Sequence, residues 1–486
     1  MIFRVFVLAS GFTMAAGASE APARSLPTLH LTCAIAESLA LARDPILSEK
    51  EMEVEKSREK LRDVDMGAIL PKFEVSTGMG PAPSLRDVAD TTTLHVGSAT
   101  GTPVYQNHKE YDFSSWGPFF GIEANVVQPL NVARFRAGRR ASQRQIDISS
   151  AEFKKEQLNV SEEVQTLYYK RLYAMTMRDI LDSARNNLDK AQKKISSQLD
   201  EGAEGVTQTD LLQLKSGRYS LDQGLNEARL GVARTALGLR FALAWSDSDE
   251  INLEDSVLTL RSETIPPIDS LKIFTLRDHP DLKRLKNGLA ARQELLKVAQ
   301  GEIGPDIFLF GDFKYAKAWS SDRQSGGTDP FSRDPLNELT AVGGLGMRIQ
   351  HNFWERYQSY RKERLELRQL ERTEVYAARG LLLKVEDAYA QMLKCRADVD
   401  EAQKSLRAAQ AWLKGAAMKY DLDPSNTRDL IGPFRQTLTA QHDYYQAVLD
   451  YNLAVTALFK AVGWILPDYF HSLNSGNHPV GGKFGD

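Results

Sequence analysis

Eight histidines and two cysteines are the residues of this 486-residue chain best suited to metal or nucleophilic chemistry, and their spacing supports neither. The histidines are scattered, and no His-Glu-x-x-His pair sets two imidazoles on one helical face around a zinc ion. Cys33 and Cys395 are too few for a disulfide framework or a zinc site. Gly343-Gly344-Leu345-Gly346 lacks the lysine of a phosphate-binding loop and sits in a strand candidate, where glycine marks close backbone approach or curvature. No Gly-x-Ser-x-Gly elbow offers a serine nucleophile. Asp and Glu number 64, but solvated helices carry such residues freely, so paired carboxylates signal no acid–base site. The expectation is a protein that is not an enzyme and has no cofactor or metal.

If chemistry is not what the residues do, the elements must carry the function. Lys+Arg 61 against Asp+Glu 64 and a pI near 6.3 argue against nucleic acid as a partner. A mean hydropathy of -0.37 argues against membrane-spanning helices, each of which needs about 20 mostly apolar residues. Arg4, the apolar run from Val5 to Ala16 and the small residues Ala16-Gly17-Ala18 have the layout of a secretory signal peptide over residues 1–18. Beyond it no window approaches ~18 consecutive apolar residues. A chain exported in this way crosses a membrane only as β-strands.

The sequence is written twice. Arg43-Asp44-Pro45 recurs as Asp278-His279-Pro280, and Ala68-Ile69-Leu70-Pro71 as Glu302-Ile303-Gly304-Pro305. Gln128-Pro129-Leu130-Asn131 answers to His351-Asn352-Phe353-Trp354, and Thr209-Asp210-Leu211 to Arg428-Asp429-Leu430. The order of landmarks is kept, giving a first repeat over 19–245, a linker over 246–267 rich in breakers, and a second repeat over 268–466. Residues 467–486 are Gly-, His-, Asn- and Ser-rich without periodicity, a disordered tail.

Within each repeat the periodicity alternates between helix and strand. Ala378, Leu381, Val385, Ala388, Met392, Cys395, Val399, Ala402, Leu406, Ala409, Leu413, Ala416 and Tyr420 step by 3 and 4, the seam of a left-handed coiled coil. On this seam Cys395 is a small packed hydrophobe. Met177, Leu181, Ala184, Leu188, Ala191 and Ile195 repeat the pattern, as do returning helices through Leu211–Val232 and Tyr444–Val462. A helix over 355–421 would extend about 100 Å at ~1.5 Å per residue. Between helices, four segments alternate with period 2: 72–80, 117–128, 306–316 and 339–350. Residues 81–116 and 317–338 read as long outer loops. Aromatics gather at the strand ends, including Tyr111, Trp116, Trp319, Phe353 and Trp354. One apolar and one polar face suit a barrel wall. They also suit a soluble sheet with one wet side, but the long loops at one end and helices at the other favour the wall. Four strands cannot close a barrel, which begins at ~8, so several chains must share one.

These features together closely resemble the TolC family of outer-membrane efflux channels. The resemblance spans about residues 28–466 and rests on Leu39-Ala40-Leu41-Ala42-Arg43-Asp44-Pro45, Leu70-Pro71 before a strand, Gln128-Pro129-Leu130 after one, and Gly205-Val206-Thr207-Gln208-Thr209-Asp210-Leu211 at a turn. It implies a mainly α fold with a membrane β-barrel: a homotrimer whose twelve strands form one barrel and whose helices form a periplasmic tunnel. It further implies localisation in the outer membrane against its lipid, and passive export from a tripartite efflux or type I secretion machine. The partners would be a periplasmic adaptor and an inner-membrane pump. The tips near 202–208 and 421–427 would dock the adaptor, through Gly205, Val206, Thr207, Leu422, Asp423 and Pro424. Relatives close the tunnel with tyrosine, arginine and aspartate at the tips. Here Tyr420 and Asp429 match the tyrosine–aspartate spacing, with Asp210 one repeat earlier. Asp423 replaces the usual turn glycine, Ser425 stands where an arginine occurs, and Gly432 replaces a second aspartate; Asp421 and Arg428 stand where they can substitute. The alternatives are a periplasmic adaptor-like or surface coiled-coil protein with no channel. An adaptor would carry one hairpin rather than two, and a surface coiled coil would not need paired amphipathic strands.

Overall fold

The computed structural model describes residues 30–92, 104–201, 207–245, 252–320, 336–349, 352–422 and 428–465. The signal peptide expected over 1–18 and the tail expected over 467–486 fall outside the described residues. The chain begins with β1 (His30–Leu31), α1 (Cys33–Arg43), α2 (Pro45–Ile69), β2 (Lys72–Thr92), β3 (Val104–Pro129), α3 (Val132–Asp200) and α4 (Gln208–Ala242). It continues with β4 (Asn252–Leu253), α5 (Ile268–Asp278), α6 (Pro280–Glu302), β5 (Asp306–Ala318), β6 (Glu338–Arg348), α7 (Phe353–Leu422) and α8 (Arg428–Val462). Thus the order strand, two helices, two strands, two helices occurs twice. Corresponding helices have 11 and 11, 25 and 23, 69 and 70, and 35 and 35 residues.

The sequence landmarks mark helix breaks. Asp44 is extended because a proline follows, and its Oδ1 accepts from the Ile46 and Leu47 amides at 2.7 and 3.0 Å to start α2. His279 holds the same place before Pro280, where its Nδ1 accepts from the Asp281 amide at 3.1 Å. Proline at the first helical position sacrifices no hydrogen bond.

The helical seam lies where the 3–4 spacing puts it. Leu381, Val385, Met392, Cys395, Val399 and Ala409 are buried on α7, against Val448, Tyr451, Val455, Leu458 and Val462 of α8. The main core gathers α1, α3, α4, α5, α7 and α8 around Tyr168, Val164, Leu239 and Leu271. Segment 252–265 packs into this core rather than bridging over it. Its β4 pairs in parallel with β1, Leu258 is buried, and the Leu258 amide donates to Thr176 Oγ1 at 3.0 Å. Arg261 sits beneath, its side chain only 3% exposed.

The four long strands form one antiparallel sheet in the order β2-β3-β5-β6. Here the structure corrects the boundaries. The strand expected over 72–80 runs to Thr92, and the one expected over 117–128 starts at Val104, so most of the outer loop expected over 81–116 is a two-stranded ribbon. Its two strands pair only with each other, because β5 reaches no further along β3 than Phe119. Pairing slips once, with Pro83 opposite Trp116 but Ser84 opposite Asp112, a bulge that sequence patterning does not reveal. In the second half the strands are 306–318 and 338–348 against the expected 306–316 and 339–350. The helix expected over 355–421 spans 353–422.

Candidate functional site

The sheet's two faces separate chemistry sharply. The register places Phe73, Val75 and Met79 of β2 beside Val126, Ala124 and Phe120 of β3. It continues with Ala124 beside Phe313, and Phe313 beside Ala341, with Leu309 beside Leu345 and Ile307 beside Met347. One face is therefore a continuous apolar wall. It is uncovered: Phe73, Met79, Leu345 and Met347 are each more than 60% exposed. A patch of this size on a lone chain marks an interaction surface. No described helix is long and apolar enough to cross a membrane.

The opposite face is polar and internally paired. Glu123 stands across from Lys314, Lys314 Nζ meets Glu338 Oε2 at 3.2 Å, and Thr340 Oγ1 donates to Glu338 Oε1 at 2.7 Å. Phe308 and Phe310 interrupt this face, and their neighbours account for them. Across the register lie Gly346 and Gly344. A Cβ on Gly346 would stand 2.6 Å from the Phe308 ring, which also lies under the Arg348 guanidinium at 5.2 Å. The tight neighbour is thus a side-chain ring over Gly346 rather than the backbone approach or curvature expected of the glycine-rich run, and the two phenylalanines lie over the missing side chains.

Beyond the sheet, Tyr111, Phe113 and Trp116 form an exposed ladder with centroids 6.1 and 6.3 Å apart. At the helical end, Phe353, Trp354 and Tyr357 form a second aromatic group. Ring faces with polar handles suit a boundary between apolar and wet surroundings.

The hairpin tips carry the residues singled out for gating and docking. Thr207 caps α4 in a reciprocal box. Asp210 Oδ2 accepts from the Thr207 amide at 3.0 Å and from its hydroxyl at 2.7 Å, while Thr207 Oγ1 accepts from the Asp210 amide at 3.3 Å. Asp210 is buried by this arrangement. Asp429 is exposed in the first turn of α8, where a carboxylate also complements the positive end of the helix dipole. Tyr420, Asp421 and Leu422 close α7 and Arg428 opens α8. Gly205, Val206, Asp423, Pro424 and Ser425 lie outside the described residues. A small cluster draws the two hairpins together near these ends: Leu188, Ile195 and Leu214, with Leu211 beside Asp210, pack with Ile431 and Phe434 of α8. Thr437 links α8 to α7 by donating to Ala409 O at 3.2 Å.

Among the described residues, no three His, Cys, Asp or Glu side chains gather to hold a metal ion. Burial pushes the Cys33 thiol up to about 12 despite the opposing pull of Arg261, and burial also raises that of Cys395. In both, burial favours the neutral thiol over the thiolate. Sequence reasoning missed one cluster, a buried polar network. Arg261 reaches Gln165 Oε1, Thr456 Oγ1 and Glu263 at 3.0–3.1 Å, and Gln165 Nε2 and Ser161 Oγ both reach Glu37. Glu37, the Ser161–Gln165 turn, the Arg261–Glu263 pair and Thr456 lie far apart in the chain, so no local spacing could have joined them.

No protein-family model and no curated protein matches the sequence. Solved structures do match the fold. The Campylobacter jejuni CmeC outer membrane channel is 19% identical, with a TM-score of 0.67 over 91% of this chain and 88% of that one. The open state of the Neisseria gonorrhoeae MtrE outer membrane channel is 14% identical, with a TM-score of 0.67 over 89% of each. The Vibrio cholerae outer membrane protein VceC is 14% identical, with a TM-score of 0.64 over 88% of this chain and 95% of that one. The chain therefore has the fold of the outer-membrane efflux channels that the sequence resembles.

Proposed function

We propose that this protein is a channel-tunnel of the outer membrane, a homotrimer that passively exports substrates handed to it by a tripartite efflux pump or a type I secretion machine. The observation that carries the reading is the four-stranded sheet. It has an exposed apolar face, a polar face with paired charges, and two outer edges, on β2 and β6, with no strand partner among the described residues. Such edges are open to pairing with another chain, and four strands are too few to close alone. Three copies supply twelve strands. The apolar faces then meet lipid, and Glu123, Lys314 and Glu338 line water. The repeated order of elements supports an internal duplication, with two helical hairpins per chain continuing the barrel as a periplasmic tunnel.

In this reading the tips over 202–208 and 421–427 dock the adaptor, and Asp429, Tyr420, Arg428, Asp421 and Asp210 narrow the free end. The capping role of Asp210 in a single chain is compatible with a second role in the trimer, since three copies converge there. The test is assembly and conduction together. Detergent-extracted protein should scatter light as three chains and open channels in planar bilayers. Asp429→Ala and Tyr420→Phe should raise single-channel conductance, and Gly205→Val should weaken crosslinking to the adaptor at normal trimer content. A detergent-independent monomer refutes the channel. Wild-type currents in both gate variants refute only the gate.

A further inference from the structure

A groove of about 350 Å³ lies where the sheet meets the helices, between the end of α2, the end of β3 and the start of α3. That volume is within the ~300–1,000 Å³ range of small-molecule sites. Its wall is apolar, from Ala68, Ile69, Leu130, Val132 and Phe135, and Ile69 and Val132 are more than half exposed. Gln128 also lines it, and Gln128 follows Phe120, Ile122, Ala124 and Val126 in the alternation that builds the apolar face of β3. The groove therefore opens on the side of the sheet read as facing lipid, at the level where that face ends.

Four polar side chains mark the groove. Gln128 Nε2 donates to the Ala68 and Pro129 carbonyls at 3.1 and 3.2 Å, which aims the amide, while its Oε1 is buried without a hydrogen-bond partner. A buried acceptor left unpaired is costly, so it points to a donor from outside the chain. Arg136 is exposed and makes no ion pair among the described residues. Asp65 and Arg139, paired at 2.8 Å, complete the rim. One wall is thus apolar, while the rim offers one unpaired cation, one carboxylate and one orphaned acceptor.

We propose that this groove seats one amine-bearing glycerophospholipid, phosphatidylethanolamine, from the leaflet nearer the helices. This rests on the membrane reading of the sheet. The upper acyl chain lies on Ile69, Leu130 and Val132. The phosphate pairs with Arg136. The ammonium supplies N–H donors to Gln128 Oε1 and sits beside the Asp65 carboxylate. A lipid with phosphate alone would meet Asp65 unfavourably, and a quaternary amine would offer Gln128 no donor. The charge pattern therefore favours the primary amine over phosphatidylglycerol and phosphatidylcholine.

Native mass spectrometry of the detergent-extracted full chain, with each lipid added separately, tests this. Wild type should retain phosphatidylethanolamine at up to one per chain, at least fivefold better than either other lipid. Asp65→Asn should lose that preference, Arg136→Ala should weaken retention of all three lipids alike, and Arg407→Ala, an exposed change far along α7, should keep both. Equal retention of the three lipids by wild type, or unchanged preference in Asp65→Asn, overturns the seat while the membrane reading stands. A chain recovered in the aqueous fraction without detergent overturns the membrane reading itself. These outcomes are distinct.

Discussion

Replacing Arg261 by methionine probes what fastens the two halves of the chain to each other. The guanidinium is 3% exposed and stands over the Tyr169 and Phe459 rings at 5.5 and 5.2 Å. It donates to Gln165 and Thr456 and forks onto Glu263, joining α3, the linker and α8. Methionine has similar length and no charge, so packing is largely kept while the Glu263 carboxylate is stranded. Breaking a buried pair on one side costs about 3–5 kcal/mol. The Glu263 side chain keeps 14% exposure, so water relieves part of that and the lower end, about 3 kcal/mol, is expected. At 1.4 kcal/mol per decade this is roughly a hundredfold. The place to read it is the linker, whose Leu258 and Arg261 amides donate to Thr176 Oγ1 and Asn452 Oδ1 at 3.0 and 3.1 Å. Hydrogen exchange of the detergent-solubilised protein should show these amides about a hundredfold less protected, with the α7 seam unchanged. Adding Glu263→Leu should restore part of the loss, because an apolar replacement for the whole pair is often neutral. Protection within threefold of wild type in Arg261→Met refutes the reasoning. So does a double variant worse than the single one.

Four further outcomes are expected. Leu345→Arg, on the apolar face, should sharply reduce the yield of outer-membrane protein, at about 2–4 kcal/mol for an arginine near a bilayer midplane, whereas Thr340→Arg on the opposite face should insert normally; equal yields refute the assignment of faces. Thr207→Ala removes the α4 cap and should cost about 0.5–2 kcal/mol, seen as faster amide exchange in the first turn of that helix. Burial lowers the His279 pKa, with Asp281 opposing and Lys155 and Lys384 adding to the shift. The unfolded chain then binds the extra proton, so the cap's stability is complete above about pH 6.5 and is lost as pH falls towards the folded value. Thermal midpoints between pH 8 and 5 should fall more for wild type than for His279→Asn, which keeps a cap without titrating. Cys33 and Cys395 should resist alkylation at pH 7.5 in folded protein and react after denaturation, as measured by mass shift.

Local patterns carried what depends on local spacing. The 3–4 steps from Leu381 to Ala409 marked a buried seam because a helix repeats near that period and water is excluded from one side only. Asp44-Pro45 and His279-Pro280 marked helix starts because proline constrains its own φ and the residue before it. Alternation marked the strands wherever one face is apolar, and failed over the ribbon, whose strands 81–92 and 104–116 pair only with each other. Only the fold could decide the rest. The contacts of Gln128 with Ala68 and of Gln165 with Thr456 join residues 60 and 291 positions apart in the chain. Their chemistry is burial without water, which exists only after packing. The meaning of Phe308 and Phe310 likewise waited on register, because a one-residue shift would have set them against side chains instead of glycines. The sequence by itself determined the long helices, the sheet part of each long strand and the order in which they recur; tertiary structure alone decided which polar groups lose their water, and hence where Arg261 clasps.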